Sequence, residues 1–335
     1  MKISASIYSN KQDNLEKIIE DLENNHMDMF HIDCKDDLSV FQDIDFIQSK
    51  SRIPLDVHII TSTPAPFFEE IRKRKIDNLC FQHEDLPLKG LPGNLNVGRL
   101  GIAITTETPI DIFEHYKNVC DYILIMATVP GESGGKFDKR NFKKIRDFQN
   151  RYPGKKIFVD GGVNGEVSFI LRNMGVYSSV SGSYLFNSSS IGSALLSLKT
   201  REVESHFLVK DFMLKLEECP VILDKHINLK NVLQSIEKGK MGFAMVVSDS
   251  GKMEGIVSNA DIRKALLDNI EHMDLLDVRN YINRNPKAID EEFTVKEMIS
   301  YVKQQKIPLM YLPIKDSKGN AKGIITFMNL IKGEL

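Results

Sequence analysis

Short apolar segments alternate with helical patterns over the first 200 residues of this 335-residue chain. This alternation restricts the fold more than any other feature, because strands that alternate with helices form parallel sheets. The predicted strands cover residues 2–8, 29–34, 55–60, 78–83, 97–104, 122–128, 156–160 and 178–181. Helical periodicity falls between them, for example at 15–22, 67–74, 137–148 and 167–172. About eight such units predict an α/β fold, the compact (β/α)8 TIM barrel, with a doubly wound open sheet as the alternative.

The pattern changes after Thr200. Residues 201–212 are predicted to form a connecting helix, and two segments, at about 213–272 and 277–335, then repeat the order strand, helix, strand, turn, strand, helix. The period is about 65 residues, which is typical of a duplicated unit. We therefore predict two domains, a barrel over 1–200 and a smaller α+β pair over 213–335 whose halves pack on each other.

Composition excludes several classes of partner. A net charge of −2 gives no broad electrostatic surface for nucleic acid or for an anionic membrane. The sequence contains no apolar run long enough to span a membrane, and its start enters a strand pattern without a signal segment. The four cysteines form no CxxC pair, which is typical of a reducing compartment, so we expect a cytoplasmic protein.

Two predicted strands each carry a His and an Asp two residues apart. The first pair is His31 and Asp33, and the second is Asp56 and His58. Side chains at i and i+2 leave a strand on the same face, so each strand directs an imidazole and a carboxylate the same way. Buried polar groups need partners, and one divalent metal would satisfy both pairs at once.

A third strand adds a carboxylate, Asp160, which is followed by Gly161 and Gly162. In a barrel of this type, reactive groups lie at the carboxyl ends of the strands. Two His and two Asp suit Zn²⁺, Fe²⁺, Mn²⁺ or Co²⁺, and the sequence does not choose among them. One carboxylate could remove a proton next to a carbonyl, the metal would stabilise the enediolate, and the second carboxylate would return the proton to the opposite face.

Glycines follow three neighbouring strands. Gly134 and Gly135 come after the sixth, Gly161 and Gly162 after the seventh, and Gly182 with Ser183 after the eighth. Backbone N–H groups at these positions of a barrel often bind phosphate, although turns also require glycine. We predict a phosphate site there, and a cover over the substrate from the loop after strand six.

As an ordered set, these motifs resemble ribulose-phosphate 3-epimerases over about residues 1–198. The resemblance rests on Ser6-Ile7-Tyr8-Ser9, His31-Ile32-Asp33, Pro54-Leu55-Asp56-Val57-His58, Ile123-Leu124-Ile125-Met126 with Pro130-Gly131, Val159-Asp160-Gly161-Gly162 and Val180-Ser181-Gly182-Ser183. It implies that His31, Asp33, His58 and Asp160 bind the metal and that Asp33 and Asp160 are the acid/base pair. It further implies substrate contacts from Ser6, His58, Met126, Gly134, Gly135, Gly161, Gly162, Gly182 and Ser183.

Departures from the family pattern affect the residues that cover the substrate. Lys35-Asp36-Asp37 stands where the family usually has Met-Asp-Gly, and Thr105-Thr106 stands where Asn-Pro is common. An Asp-x-Lys at this strand is similar to orotidine-phosphate decarboxylases and hexulose-phosphate synthases, but Leu38 stands where their later Asp would be. Lys35 could equally be an exposed cation paired with Asp36 or Asp37. The sugar is therefore less constrained than the reaction type.

The repeat after Thr200 resembles a tandem CBS pair, also called a Bateman module. Its diagnostic piece places Ser258 at a strand end and Asp261 three residues later at a helix start. The resemblance implies that Ser258, Asp261 and Thr326 contact a nucleotide, adenine-containing or other. In the second copy, Asn329 replaces the Asp. An ordinary helix N-cap would use the same Ser and Asp.

Together these features predict a sugar-phosphate 3-epimerase, an isomerase, with a CBS pair that senses a nucleotide or mediates association as a homo-oligomer. The favoured substrate is D-ribulose 5-phosphate, converted to D-xylulose 5-phosphate, or a close ketose phosphate. The alternatives are a non-catalytic sugar-phosphate or nucleotide sensor that uses the barrel as a scaffold, and a related decarboxylase or aldolase type of barrel enzyme.

Overall fold

The computed structural model describes residues 1–87, 91, 95–130, 134–199, 206–305 and 309–327. The described residues form two compact units, one within 1–199 and one within 206–327. In this part of the chain, none of the helices combines the length and the apolar character that a membrane crossing needs.

The first unit is a closed barrel of eight parallel strands in sequence order, which confirms the predicted fold. Closure comes from the pairing of the last strand with the first, and it rules out the open sheet. The strands are β1 (Lys2–Ser6), β2 (Met29–Lys35), β3 (Leu55–Ile60), β4 (Ile76–Gln82), β5 (Val97–Thr105), β6 (Tyr122–Met126), β7 (Lys156–Asp160) and β8 (Ser178–Ser181). Every predicted strand exists, and its ends lie within two residues of the prediction.

The helices of this unit are α1 (Leu15–Asn24), α2 (Val40–Lys50), α3 (Ala65–Arg72), α4 (Arg140–Arg151), α5 (Gly165–Asn173), α6 (Ser183–Phe186) and α7 (Ile191–Lys199). Two connections differ from the predicted alternation. A 3-10 segment, Ile110–His115, joins β5 to β6, and the described residues between β4 and β5 contain a 3-10 turn, His83–Asp85. The helix predicted at 137–148 begins only at Arg140. Phe137 lies in the preceding loop, with its ring centroid 4.7 Å from that of Phe142.

A repeated aspartate contact ties odd strands to even ones. In each case a carboxylate near the start of an even strand accepts a backbone N–H from the first half of the strand before it. The pairs are Asp28 with Ile3, Asp77 with Leu55, and Asp121 with Leu100, at 2.9–3.0 Å. A charge-assisted bond of this kind stabilises the end of the barrel where the strands begin. These aspartates lie at the opposite end of the barrel from the strand carboxyl ends.

Apolar side chains fill the barrel interior, as in other small barrels of this class. Tyr122 and Phe158 stack with ring centroids 4.1 Å apart. The same cluster contains Met29, Cys80, Ala103, Leu124 and Met126, all essentially inaccessible to solvent. This packed layer leaves the strand carboxyl ends as the place for polar side chains.

Strand register then brings polar residues side by side. His31 lies opposite Asp56, Asp33 lies opposite His58, and Met126 lies opposite Asp160. Because paired residues on adjacent strands face the same side of the sheet, these side chains point the same way. The polar site is therefore determined by the pairing of β2 with β3 and of β6 with β7.

The second unit contains α8 (Val209–Phe212), β9 (Leu214–Lys215), β10 (Val221–Leu223), α9 (Leu229–Gly239), β11 (Phe243–Val247), β12 (Met253–Ser258), α10 (Asn259–Asp268), β13 (Ile289–Asp290), α11 (Val295–Lys303), β14 (Tyr311–Lys315) and β15 (Ala321–Thr326). Residues 201–205 of the predicted connecting helix lie outside the described residues, as does the predicted terminal helix at 328–335. Within 206–212 the helix covers only Val209–Phe212. Among the described residues, the second copy repeats the order of elements of the first up to its last strand, β15.

The two repeats share one core. They form the sheets β10-β11-β12 and β13-β14-β15-β9, so that β9, at the start of the first repeat, completes the sheet of the second. Phe243 and Tyr311 lie ring on ring at 4.2 Å, and one apolar cluster includes Ile256 and Ile324. The hairpin turns also pair, through Lys252 and Asn320. Each half therefore buries its apolar face against the other, as the sequence predicted.

Candidate metal centre

Four side chains converge at the carboxyl ends of β2, β3 and β7. They are His31, Asp33, His58 and Asp160, and each offers a ligand atom within 4.8 Å of all the others. Both imidazoles are completely buried, whereas the side chains of Asp33 and Asp160 are 22% and 17% exposed. The buried histidines and the partly open carboxylates leave one side of the cluster accessible.

The hydrogen bonds of His31 leave one of its nitrogens directed at the carboxylates. Its Nδ1 lies 3.0 Å from Oδ2 of the buried Asp56, which can only accept there because an ionised carboxylate has no proton. When the ring is neutral, Nε2 carries the lone pair that a metal would bind. It is buried without a hydrogen-bond partner, 3.4 Å from Oδ1 of Asp33 and 3.7 Å from Oδ2 of Asp160. Two carboxylate oxygens around this nitrogen suit a positive charge, which either a proton on Nε2 or a divalent metal in its place would supply.

Asp56 lies beside this cluster and not in it. The two His–Asp pairs suggested that one metal could satisfy both, but the cluster that could hold an ion contains Asp160, as the family resemblance implied, and not Asp56. Asp56 instead orients His31, as carboxylates behind metal-binding histidines commonly do. The register between β2 and β3 causes this, because it aligns His31 directly with Asp56.

His58 is held in a similar way from the neighbouring strand. Its Nε2 lies 2.9 Å from Oε1 of Gln82, at the end of β4, and its Nδ1 lies 3.2 Å from Oδ1 of Asp33. Gln82 is also buried, and the sequence reasoning missed it. The sequence does carry one indication of Gln82. Asn78, Cys80 and Gln82 alternate with apolar residues along β4, so their side chains leave the strand on the same face.

The surroundings shift the pKa values of the two aspartates in opposite directions. Burial raises the pKa of Asp160 to about 6, helped by the nearby Asp33 carboxylate and opposed by the imidazoles. For Asp33, burial also raises the pKa, but the contacts with His31 and His58 outweigh it and the pKa falls well below its usual range. For His31, burial lowers the pKa, and the Asp33 and Asp56 carboxylates more than reverse this.

The predicted phosphate residues lie in two groups at the same end of the barrel. The first lies at the ends of β1 and β8, where the hydroxyl of Ser9 donates to that of Ser6 at 3.2 Å. A Cβ at Gly182 would lie 2.8 Å from Cβ of Ser9, so the two loops touch, and Ser183 begins α6 directly afterwards.

The second group joins the loops after β6 and β7. Thr128, which the sequence did not single out, packs against both loops. A Cβ at Gly135 would lie 2.6 Å from its Cγ2, and a Cβ at Gly161 would lie 2.7 Å from its backbone N. Gly161 and Gly162 also have φ values of +108° and +66°, which favour glycine. The loops can approach this closely only with glycine at those positions.

Met126 and Gly134 complete the predicted set in this unit. Met126 is buried in the barrel interior beside Asp160. Gly134 has a φ of +90° and open space around it. Residues 131–133 of the same loop, including Gly131 of the family motif, lie outside the described residues.

Lys35 is the last residue of β2 and is exposed. Two positions after Asp33, it lies in the same phase of the strand. Leu38 is also exposed.

In the second unit, Ser258 and Asp261 lie at the start of α10. The Ser258 N–H donates to Oδ2 of Asp261 at 2.8 Å, and the Asp261 N–H donates to the Ser258 hydroxyl oxygen at 3.3 Å. This is a capping box, so the N-cap role that the sequence left open is filled. Thr326 ends β15, and Asn329 lies outside the described residues.

The chemistry of the donors fits a divalent metal. Two imidazoles that each donate one N–H to a neighbouring strand, together with two carboxylates, offer four N and O ligands of the kind that Zn²⁺, Fe²⁺, Mn²⁺ and Co²⁺ accept. The fold and this cluster define a class of protein, a β/α-barrel enzyme with a candidate divalent-metal centre at the carboxyl ends of its strands.

Comparison with known proteins identifies the particular family within that class. The profile described as the ribulose-phosphate 3 epimerase family matches residues 2–186, more than half of the chain. The chain belongs to this family and is an isomerase of the epimerase type. The CBS domain profile matches residues 209–268, so the second unit, with its duplicated order of elements, is a CBS pair.

Several curated ribulose-phosphate 3-epimerases align with the barrel. That of Methanocaldococcus jannaschii is 28% identical over 227 residues, covering 64% of this chain and 96% of the relative. That of Helicobacter pylori is 31% identical over 202 residues, covering 56% and 92%. That of Bacillus subtilis is 28% identical, covering 56% and 94%.

Solved CBS proteins resemble the second unit at lower similarity. CBSX2, solved in complex with AMP, is 20% identical with a TM-score of 0.33 and covers 38% of this chain and 96% of its own. A CBS domain pair solved with 5-methylthioadenosine and S-adenosyl-L-methionine is 21% identical with a TM-score of 0.31 and covers 38% and 100%. At these scores the likeness assigns no ligand to this chain.

Proposed function

We propose that the barrel inverts the configuration at C3 of D-ribulose 5-phosphate to give D-xylulose 5-phosphate, or acts in the same way on a close ketose phosphate. One observation carries the proposal. Two carboxylates with oppositely shifted pKa values lie beside two buried histidines, in a cluster that fits a divalent metal. Groups whose surroundings separate their pKa values in this way are suited to act as a base and an acid.

In this proposal Asp33 is the base. Its low pKa keeps the carboxylate ionised, so it can take the proton from C3 of the ketose. Asp160, whose pKa is raised to about 6, can hold a proton close to neutral pH and deliver it to C3 from the opposite face. One C–H bond breaks, another forms on the other face, and C3 is inverted. The reverse reaction exchanges the two roles.

His31, Asp33, His58 and Asp160 would hold the metal. A bound divalent cation supplies Lewis-acid stabilisation of negative charge that develops on the substrate oxygens. Asp56 keeps the His31 imidazole oriented toward the cluster. The buried Met126 lines the interior beside Asp160 and would exclude water from the reacting carbon.

The phosphate of the substrate would bind to the loops after β6, β7 and β8. Backbone N–H groups at Gly134, Gly135, Gly161, Gly162, Gly182 and Ser183 are the proposed donors, with the Ser6 hydroxyl at the adjacent strand end. The close approach of these loops to Thr128 and to Ser9 supports an anion site at this end of the barrel.

Conversion in the presence and absence of metal tests this function. Purified protein is stripped with a chelator, reloaded with Zn²⁺, Fe²⁺, Mn²⁺ or Co²⁺ separately, and incubated with D-ribulose 5-phosphate. We expect D-xylulose 5-phosphate in the NMR spectrum of at least one reloaded sample and none in the stripped sample. Formation of formaldehyde or CO₂ from a sugar or nucleotide phosphate would favour the aldolase or decarboxylase alternative, in which Lys35 would enter the site. Absence of any reaction would favour a sensor.

We also propose that the CBS pair binds a nucleotide, with Ser258, Asp261 and Thr326 at its ribose and phosphate. The match of residues 209–268 to the CBS domain supports this role. If no nucleotide binds, association of the chain into a homo-oligomer is the remaining role of the pair, and the molar mass in solution measures it.

A further inference from the structure

We propose that Gln82, held in place by Glu84, is a positioning residue that keeps the proton of His58 on Nε2 and so directs Nδ1 to the metal. This inference rests on the metal centre of the proposed function. It assigns a task to two residues of the β4 end that neither bind the metal nor touch the reacting atoms. Three linked contacts carry it, from Asp33 through His58 and Gln82 to Glu84.

The orientation of the Gln82 amide is the first step. Its Nε2 lies in close contact with Oε2 of Glu84. An ionised carboxylate only accepts hydrogen bonds, so the amide must present its NH₂ group to Glu84. The opposite orientation would place the amide oxygen against a carboxylate oxygen. Oε1 of Gln82 therefore faces His58.

The proton of His58 follows from that orientation. Its Nε2 lies 2.9 Å from Oε1 of Gln82, an oxygen that can only accept. The imidazole must then carry its proton on Nε2. Nδ1, which lies 3.2 Å from Oδ1 of Asp33, is left with a lone pair toward the metal ligands.

Without Gln82, the proton of His58 would prefer Nδ1 over Nε2. Asp33 also attracts a proton to His58, because an Nδ1–H could donate to its carboxylate at the same 3.2 Å. That proton would block the nitrogen that a metal needs. Gln82 competes with Asp33 for the proton, and a buried hydrogen bond of this kind is strong because water does not replace it.

Glu84 is itself anchored, so it can hold the amide. Its Oε1 accepts the backbone N–H of Thr105 at 2.9 Å and the Thr105 hydroxyl at 3.0 Å, and it also accepts from the Thr108 hydroxyl. The relay thus links the metal cluster to the loop after β5. The same loop is where Thr105-Thr106 departs from the family pattern.

Zinc affinity of matched variants tests the inference without any measurement of activity. Stripped wild type, Gln82→Leu, Glu84→Gln and a double variant that combines Gln82→Glu with Glu84→Gln are titrated with Zn²⁺ against a chromophoric chelator. Gln82→Leu is expected to weaken Zn²⁺ binding about 10- to 100-fold, the usual effect of removing an outer partner of a metal-bound histidine. Glu84→Gln should weaken Zn²⁺ binding less. The Gln82 amide can then take either orientation, and one of the two still presents its oxygen to His58.

The double variant distinguishes positioning from packing. Its carboxylate at position 82 would accept from His58, and its amide at position 84 would donate to that carboxylate, so the relay is rebuilt with the two side chains exchanged. We expect its Zn²⁺ affinity to return to within about threefold of wild type, because the acceptor that faces His58 is restored. Asn78→Leu, at another buried polar position of β4, is the control and should bind Zn²⁺ as wild type does.

Two further readouts complete the test. In the zinc-bound wild type, ¹⁵N spectra of the histidines should place the His58 proton on Nε2, and a proton on Nδ1 would overturn the inference. Equal Zn²⁺ affinity of wild type and Gln82→Leu would overturn it as well. If Gln82→Leu does not fold, the double variant is compared with Glu84→Gln instead. The inference would be overturned if the double variant did not bind Zn²⁺ more tightly than Glu84→Gln. Absence of Zn²⁺ binding by wild type would instead overturn the metal centre itself.

Discussion

At the scale of single residues, the centre depends on chemically alike side chains that their surroundings make different. Asp33 and Asp160 are both carboxylates at strand ends, yet contact with two imidazoles lowers the pKa of the first while burial raises that of the second. His31 and His58 are likewise both buried, and each is oriented by an acceptor on the next strand. The proposed metal centre therefore depends on the side chains that orient its histidines as well as on the four candidate ligands.

Replacement of either aspartate by asparagine tests their roles. An amide cannot take or give the proton, so Asp33→Asn and Asp160→Asn should each slow exchange of the C3 proton about 100- to 10,000-fold. Proton NMR in D₂O measures the exchange, and circular dichroism on melting verifies the fold. Asp85→Asn, at a position after β4 that lies outside the cluster, is the control. Exchange by Asp33→Asn near the wild-type rate would refute its role as the base.

The sequence was sufficient to predict which four side chains cluster, but not the side chains that orient them. The spacing of His31 and Asp33, and the position of Asp160 at a strand end, could be read directly because strand alternation fixes which way side chains point. The partner of each histidine depends instead on the register between strands and on how far a side chain reaches. Asp56 and Gln82 could therefore be assigned only from the structure.

At the scale of elements, strands were easier to predict than helices. A barrel strand with a continuous apolar run has clear ends, whereas helix starts depend on local contacts. The start of α4 illustrates this, because Phe137 is buried against Phe142 as if it belonged to the helix but lies in a loop. The contacts of Thr128 with two glycine loops carried no signal in the sequence.

The glycine turn after β7 gives a prediction at this scale. Alanine at Gly162 would combine a φ of +66° with a Cβ 2.8 Å from Cα of Phe137. We expect Gly162→Ala to lower the free energy of unfolding by about 2–4 kcal/mol, from backbone strain and overpacking together, and to raise KM for the sugar phosphate. Gly154→Ala is the control, since its φ is +89° but its Cβ would meet nothing.

Chemical denaturation and steady-state kinetics measure the two effects. Gly154→Ala should show only the smaller loss that strain alone produces, with an unchanged KM. Equal effects of the two substitutions on KM would contradict a specific role of the β7 turn in phosphate binding.

Glu84 gives a pH-dependent prediction. Burial raises its pKa, but hydrogen bonds from Thr105 and Thr108 outweigh this and hold the pKa below its ordinary value. A lowered pKa in the folded state stabilises the protein above the unfolded pKa of about 4.3, and the contribution is lost as pH falls through the folded-state pKa. Glu84→Gln should therefore melt at a lower temperature than wild type at pH 7.

The difference in melting temperature should narrow as pH falls below about 4, where the wild-type carboxylate takes up a proton. Scanning calorimetry from neutral pH down to the acid limit of folding measures it, with the exposed Glu20→Gln as control. A difference that stays constant over the whole range would contradict a stabilising role for the charge of Glu84.

At the scale of the whole molecule, the chain joins an epimerase barrel to a duplicated CBS unit. The duplication was visible in the sequence because both copies keep the same order of elements. The packing of the two copies could not be predicted, since the second sheet takes β9 from the start of the first copy. Such pairing between distant segments leaves no local pattern to read.

Nucleotide binding by the CBS pair would appear as a rise in melting temperature. Adenine nucleotides should raise it in proportion to the logarithm of their concentration above Kd, and Asp261→Ala should abolish the rise. That variant also loses a helix cap, which is worth about 0.5–2 kcal/mol of stability. The comparison with wild type therefore uses the rise in melting temperature that the nucleotide causes, and not the melting temperature itself. Glu297→Ala removes the equivalent capping box at Thr294 and is the matched control.

Loss of the nucleotide effect in both variants would indicate general weakening of the unit. Absence of any effect in wild type, across adenine and other nucleotides, would refute the sensing role.

Isotope exchange tests the central claim most directly. Metal-loaded wild-type protein is incubated with D-ribulose 5-phosphate in D₂O, and deuterium at C3 is followed by NMR and mass spectrometry. Two carboxylates that transfer protons on opposite faces predict one deuterium at C3 of the D-xylulose 5-phosphate formed, and its gradual appearance in the recovered substrate. The absence of deuterium at C3 in every ketose phosphate tried, with metal bound, would contradict the account.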